Sequence, residues 1–168
     1  LKQFGYVEEG KLTAKGIFSS KVYADEITIG EVFATDVASQ LDEYQILLAI
    51  ASIVYEPGRN DEFKQEFPSE SLQNLKKVLH KNEYLAKEEK FLELNKLTAL
   101  IHPAYQGKSF FELLGMTNLL EGDLIRFFAQ ILDRIGQIRK ATTDHELTRK
   151  MQNCRGILER TLEGIYLV

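Results

Sequence analysis

Arg126, Gln130, Asp133 and Gln137 recur at three- and four-residue steps. On a helix that spacing puts all four on one face. A guanidinium, two amides and a carboxylate can hydrogen-bond phosphates, sugars and base edges with little choice of sequence. The same set also makes an ordinary solvated face, and periodicity alone favours that plainer reading. Gly107-Lys108-Ser109 has the ending of a phosphate-cradling loop. Such a loop needs Gly-x-x-x-x-Gly-Lys-Ser, because the first glycine lets backbone amides wrap the phosphates. Residue 102 is His and no apolar strand leads into it, so the tripeptide reads as a turn before a helix cap. No nucleotide is expected to bind this chain.

His80, His102 and His145 are far apart, and none has a second His or Cys at ligand spacing. No metal site is expected. Cys154, the only cysteine, lies inside a helical pattern and fits a buried core thiol better than a nucleophile. No catalytic residue is nominated, and the isolated chain is not expected to be an enzyme.

The elements that must carry these residues follow from patterning. The chain has 168 residues, 44% apolar and 27% charged, which suits one soluble domain with a core. Net charge is −4, which argues against a free-standing polyanion binder. One cysteine excludes a disulfide framework and fits a reducing cytoplasm. No apolar run approaches the ~20 residues that span a bilayer, and no signal peptide is visible. Residue 1 is Leu, and Leu1 to Tyr6 reads like the end of an element already under way, so a C-terminal fragment of a longer protein is expected.

Gly5 to Leu12 reads as a short hairpin, with Val7 and Leu12 in strands. Everything after it is helical. Thr13 caps a helix to about Val22, and a second covers Ile27 to about Ala38. Asp42 and Gln45 form a capping pair before an almost wholly apolar helix ending near Val54, the expected centre of the domain. Pro57-Gly58 stops it, and residues 57–68 read as a polar loop. Ser69 caps a long helix that can break near Asn82 and ends by His102-Pro103. Ser109 and Glu112 form a capping box before a short helix to about Met116, and Thr117-Asn118 reads as a turn. The next helix runs from about Leu120 to Lys140, with Leu124, Phe127, Phe128, Ile131, Leu132, Ile135 and Ile138 on its inner face. Thr143 with Glu146 forms a further capping box, starting a last helix to about Gly164. The expected fold is all-α, a single bundle of about seven helices preceded by a short β-hairpin.

With these elements placed, the chain resembles the C-terminal helical domain (the DSHCT type) of superkiller-type DExH-box RNA helicases of superfamily 2. Leu12-Thr13-x-Lys15-Gly16, Asp25-Glu26-Ile27 and Glu31 carry the resemblance on the N-terminal side. Glu121-Gly122-Asp123-Leu124-Ile125-Arg126 and the last helix ending in Tyr166-Leu167 carry it on the other. Gly107 and Phe110 match a short motif between them. The resemblance is good over 1–56 and 104–168 and poor over 57–100. Gln130 stands where the family often has a second basic residue, and this chain has no Trp before Gly107.

The resemblance implies a ratchet role: a helix lining the channel of a ring-shaped motor and touching single-stranded RNA as it is pulled through. On that reading Arg126, Gln130, Asp133 and Gln137 face RNA, and Glu56 lies near the emerging bases. Residues 1–12 are implied to be the remnant of a winged-helix wing, and 13–168 the ratchet bundle. ATP and Mg²⁺ belong to RecA-like motor domains of the parent protein. The implied partners are single-stranded RNA, with DNA as an open alternative, and the RecA-like and winged-helix domains of the parent; no membrane is involved. Two other functions stay open. One is a protein–protein interaction module, which would have to expose apolar residues along 69–100. The other is a helix-turn-helix nucleic-acid-binding domain over Ser109 to Lys140.

Overall fold

The computed structural model describes residues 4–20 and 25–165. It begins with β1 (Val7–Glu8) and β2 (Lys11–Leu12), an antiparallel hairpin pairing Val7 with Leu12. Glu9 and Gly10 turn the chain at positive φ. The hairpin is fastened to the next two helices, α1 (Ala14–Ser20) and α2 (Glu26–Phe33). The Thr13 hydroxyl accepts the Gly16 N–H at 3.1 Å, the capping geometry expected of that threonine. A Cβ at Gly16 would stand 2.1 Å from the Tyr6 carbonyl oxygen, so only glycine lets the hairpin lie this close. Lys15 pairs with the buried carboxylate of Glu31 at 2.6 Å and lies over the Tyr6 ring. The Leu-Thr-x-Lys-Gly motif and Glu31 therefore act as a fastening between hairpin and bundle. The expected reach of α1 to Val22 lies outside the described residues, as do Tyr166 and Leu167.

α2 stops at Phe33, short of the expected Ala38; the Thr35 hydroxyl donates to the Glu31 carbonyl and closes it. Asp42 and Gln45 then accept each other's backbone N–H, both at 2.9 Å. They open α3 (Glu43–Val54), in which every residue from Tyr44 to Val54 is buried. α3 is the axis of the fold and packs against the four other helices of the bundle core.

The segment 69–102, expected to be helical and able to break near Asn82, is two helices parted there. α4 (Glu70–His80) starts at the Ser69 cap, and α5 (Leu94–Tyr105) follows after two 3-10 turns, Leu85–Lys87 and Glu89–Glu93. The break falls at Asn82, whose side-chain oxygen accepts the Leu85 N–H at 2.9 Å while its amide donates to Glu31 at 2.9 Å. A side chain that satisfies the backbone locally competes with the helix ladder. α5 runs through Pro103 to Tyr105, beyond the expected end. Pro103 sits in its last turn, where a missing N–H costs one bond and only Ala104 and Tyr105 follow in the helix.

α6 (Phe110–Leu114) opens with the expected Ser109–Glu112 capping box, and α7 (Glu121–Ala141) is the longest helix. Leu124, Phe127, Phe128, Ile131, Ile135 and Ile138 are buried, as the periodicity requires. α8 (His145–Thr161) packs along α7 and α3, with Cys154 fully buried among apolar neighbours. Its cap is Asp144, not Thr143: the Asp144 carboxylate accepts from Glu146 at 2.8 Å and Leu147 at 3.2 Å. Asp is at least as good a cap as Thr, and the Thr142 hydroxyl accepts the Asp144 N–H and orients it. The described residues thus form an all-α bundle of eight helices with a short hairpin at one end. None of its helices is long and apolar enough to cross a membrane.

Candidate nucleic-acid interface

α7 carries the polar stripe outward because its inner face is held by α3 and α8. Its N-terminal end opens on a cleft of about 240 Å³, lined by Arg126, Gln130 and Asp123 on one side and Glu56, Gly58 and Asp61 on the other. Tyr55 and Phe127 form the floor. Three residues read as RNA contacts from the sequence, Glu56, Arg126 and Gln130, therefore meet at one site although 70 positions separate the first two.

The far wall is the segment after α3, and it is not a free loop. Phe63 bridges to Thr117, with Lys64 N–H donating to the Met116 carbonyl at 2.9 Å. Asn118 holds the same segment twice, accepting the Glu62 N–H at 2.8 Å and donating to the Asn60 carbonyl at 2.7 Å. Thr117 donates to the Glu62 carbonyl at 2.8 Å. Further on, Phe67 stacks on the His102 ring at 4.3 Å. Burial there holds His102 below its ordinary pKa. So residues 57–68 are a strap, and Thr117-Asn118, expected only as a turn, is its anchor.

Asp61 was not among the nominated residues and defines the wall. Its carboxylate accepts from the Tyr55 hydroxyl at 2.6 Å and from the Gly58 N–H at 2.8 Å. Burial, then the Asp61 contact, pushes the Tyr55 hydroxyl well above its ordinary pKa, so it stays a donor. The signal available was an Asp three residues after a Pro-Gly turn, a local acceptor for turn amides.

Arg126 is the open cation of the cleft, its side chain 71% exposed and 3.6 Å from Asp123 one turn earlier. Gln130 is half-buried on the next turn, and its side chain has no hydrogen-bond partner among the described residues. The stripe changes character after it. Asp133 accepts from Gln137 at 2.7 Å and from Arg134 at 2.7 Å. Arg134 is only 14% exposed and reaches Asp25 at the start of α2, 3.6 Å away. Asp133 and Gln137 do not line the cleft. They belong to a polar network, exposed at Asp133, that ties α7 to α2 through Arg134.

Three groups line the cleft with negative charge, Glu56, Asp61 and Asp123, against one positive. Arg126 is the one cation lining the cleft among the described residues, and an amide or a carboxylate such as those of Gln130 and Glu56 is a group able to hydrogen-bond base edges and sugar hydroxyls. Among the described residues, no group of His, Cys, Asp and Glu side chains is placed to hold a metal ion.

Comparison with known proteins gives one match by family and none by curated relative. A family model described as the DSHCT (NUC185) domain matches residues 9–162.

Proposed function

The chain belongs to the DSHCT (NUC185) family, the C-terminal domain of superkiller-type helicases, and from that premise we propose that it contacts single-stranded RNA during translocation. Such a domain contains no catalytic motor. ATP and Mg²⁺ act in RecA-like domains of the parent protein, and the bundle forms part of the channel wall with them and a winged helix. A cytoplasmic location goes with this reading.

The observation that carries the proposal is the convergence of Glu56, Arg126 and Gln130 on one open cleft at the exposed end of α7. Arg126 offers a planar fork to a phosphate. Gln130 can donate and accept at a base edge, and Glu56 can accept from a ribose 2′-hydroxyl or an exocyclic amine. Few contacts suffice in a ring, because enclosure by other domains keeps the strand in place. The acidic surroundings make each contact weak, which suits a site that must release the strand at every step. The network that joins Gln137, Asp133, Arg134 and Asp25 also fixes the channel helix against α2, so Asp133 and Gln137 meet the strand less freely than Arg126 and Gln130.

The helix-turn-helix alternative has less support. Its first helix, α6, is five residues long, and the outward face of α7 offers only Arg126 as an open cation before Asp133 closes the stripe. Base readout in a major groove rests on a basic recognition face.

Fluorescence anisotropy with a labelled oligouridylate tests the proposal. The chain should bind weakly, lose affinity as salt rises, and show no ATP turnover. Arg126→Ala should weaken binding by about 3–10-fold, the worth of one exposed charged contact. Equal affinity for the variant and the parent sequence would refute the assignment of the cleft.

A further inference from the structure

A second groove shares no lining residue with the cleft on α7. It lies between the last turns of α4 and the two 3-10 turns, with a volume of about 290 Å³. Leu79, Leu85 and Leu94 are its buried floor, Phe91 is half-buried, and Leu92 stands on the rim 80% exposed. Leu92 is the most exposed large apolar side chain among the described residues. It lies in the 69–100 segment, where a protein-docking module would have to show apolar surface.

Beside this apolar floor, the outer face of α4 gathers Lys76, Lys77, His80 and Lys81, with Lys76 and His80 also lining the groove. None of the three lysines forms an ion pair among the described residues. Lys77 and Lys81 are one turn apart, a like-charged spacing that repels. Glu88 is the sole acid lining the groove. The chain carries a net charge of −4, so this unpartnered basic face stands against the overall balance.

We propose that this groove docks an acidic amphipathic segment of a partner protein. One apolar side chain of the partner sits against Leu79, Leu85, Phe91 and Leu92, and its carboxylates face Lys76, Lys77 and Lys81. Charge complementarity selects an acidic partner. The apolar floor of Leu79, Leu85 and Leu94 selects a peptide over a nucleic acid, because phosphates gain nothing from leucine. The inference does not depend on RNA binding at the cleft.

The test is an amide-shift titration of the isotope-labelled chain with three probes. One is a synthetic helical peptide of Glu with Leu at i, i+3, i+4 and i+7. The second has Ser for every Leu, and the third is oligouridylate. The Leu-containing peptide should shift amides in 76–81 and 85–95 and bind at least about tenfold tighter than the Ser peptide. Lys77→Glu and Leu92→Asp should each weaken it by a similar factor, while keeping the melting temperature of the parent chain. Leu92→Ala, the milder change, should weaken it by a smaller factor. Equal binding of the two peptides, tighter binding of oligouridylate at these same amides, or no shift with the Leu peptide would each overturn the proposal.

Discussion

The two ends of the polar stripe on α7 have the same spacing and opposite fates. At the first end Arg126 reaches into an open cleft, with only an exposed Asp123 beside it. At the second, Arg134 comes from the adjoining row and holds Asp133, which also takes Gln137. The difference lies in what packs alongside. The strap 57–68 stops short of covering Arg126, whereas the start of α2 brings Asp25 against Arg134. A polar face of a helix is thus not one functional unit. Neighbouring elements decide which of its residues remain free for a ligand and which are spent on structure.

The largest expected effect sharpens this contrast through stability. Arg134→Met should destabilise the fold by about 1–2 kcal/mol, because it removes a largely buried guanidinium and leaves Asp25 with Lys90 alone and Asp133 with Gln137 alone. Thermal unfolding should show a fall of roughly 2–8 °C for a domain of this size. Arg126→Ala should change stability by no more than about 0.5 kcal/mol, as exposed pairs contribute little. Equal losses for the two arginines would break the comparison.

The next effect concerns the anion beside Arg126. Asp123→Asn removes a competitor for the guanidinium and one like charge near the phosphate. Affinity for oligouridylate should rise by about 3–10-fold, most at low salt. Unchanged affinity would show that Arg126 does not meet the backbone.

A smaller effect tests the strap. His102 stacks on Phe67, and burial favours its neutral form in the folded protein. The unfolded chain therefore takes up this proton first, and folding stability falls as pH drops below about 6.5, levelling off once the folded histidine is also protonated. Melting temperature measured across that range should decline, and His102→Gln should flatten the decline. The smallest effect is chemical. Burial raises the Cys154 thiol above its ordinary pKa, so the folded chain should react with a thiol reagent only as fast as it opens. Rapid labelling of the folded protein would contradict that burial.

Much of the fold was legible because its signals are local. The capping pairs at Asp42–Gln45 and Ser109–Glu112 set helix starts within one turn, and the apolar recurrence on α7 named its buried face. The break in 69–102 was legible as a place, near Asn82, but its cause was not: Asn82 donates to Glu31, 51 positions away. The cleft was half legible. Arg126 and Gln130 are neighbours on one helix, and the family resemblance alone suggested Glu56. Asp61 and the anchoring of the strap by Asn118 depend on contacts between distant segments, which no periodicity reports.

Site-specific crosslinking tests the central claim most directly. A photoreactive residue placed at Gln130, and separately at Gln137, would be irradiated with bound oligouridylate. Crosslinked RNA should form at position 130 and fall to background at 137, because the stripe is open at the first and closed at the second. Equal yields at both, or a higher yield at 137, would contradict the account.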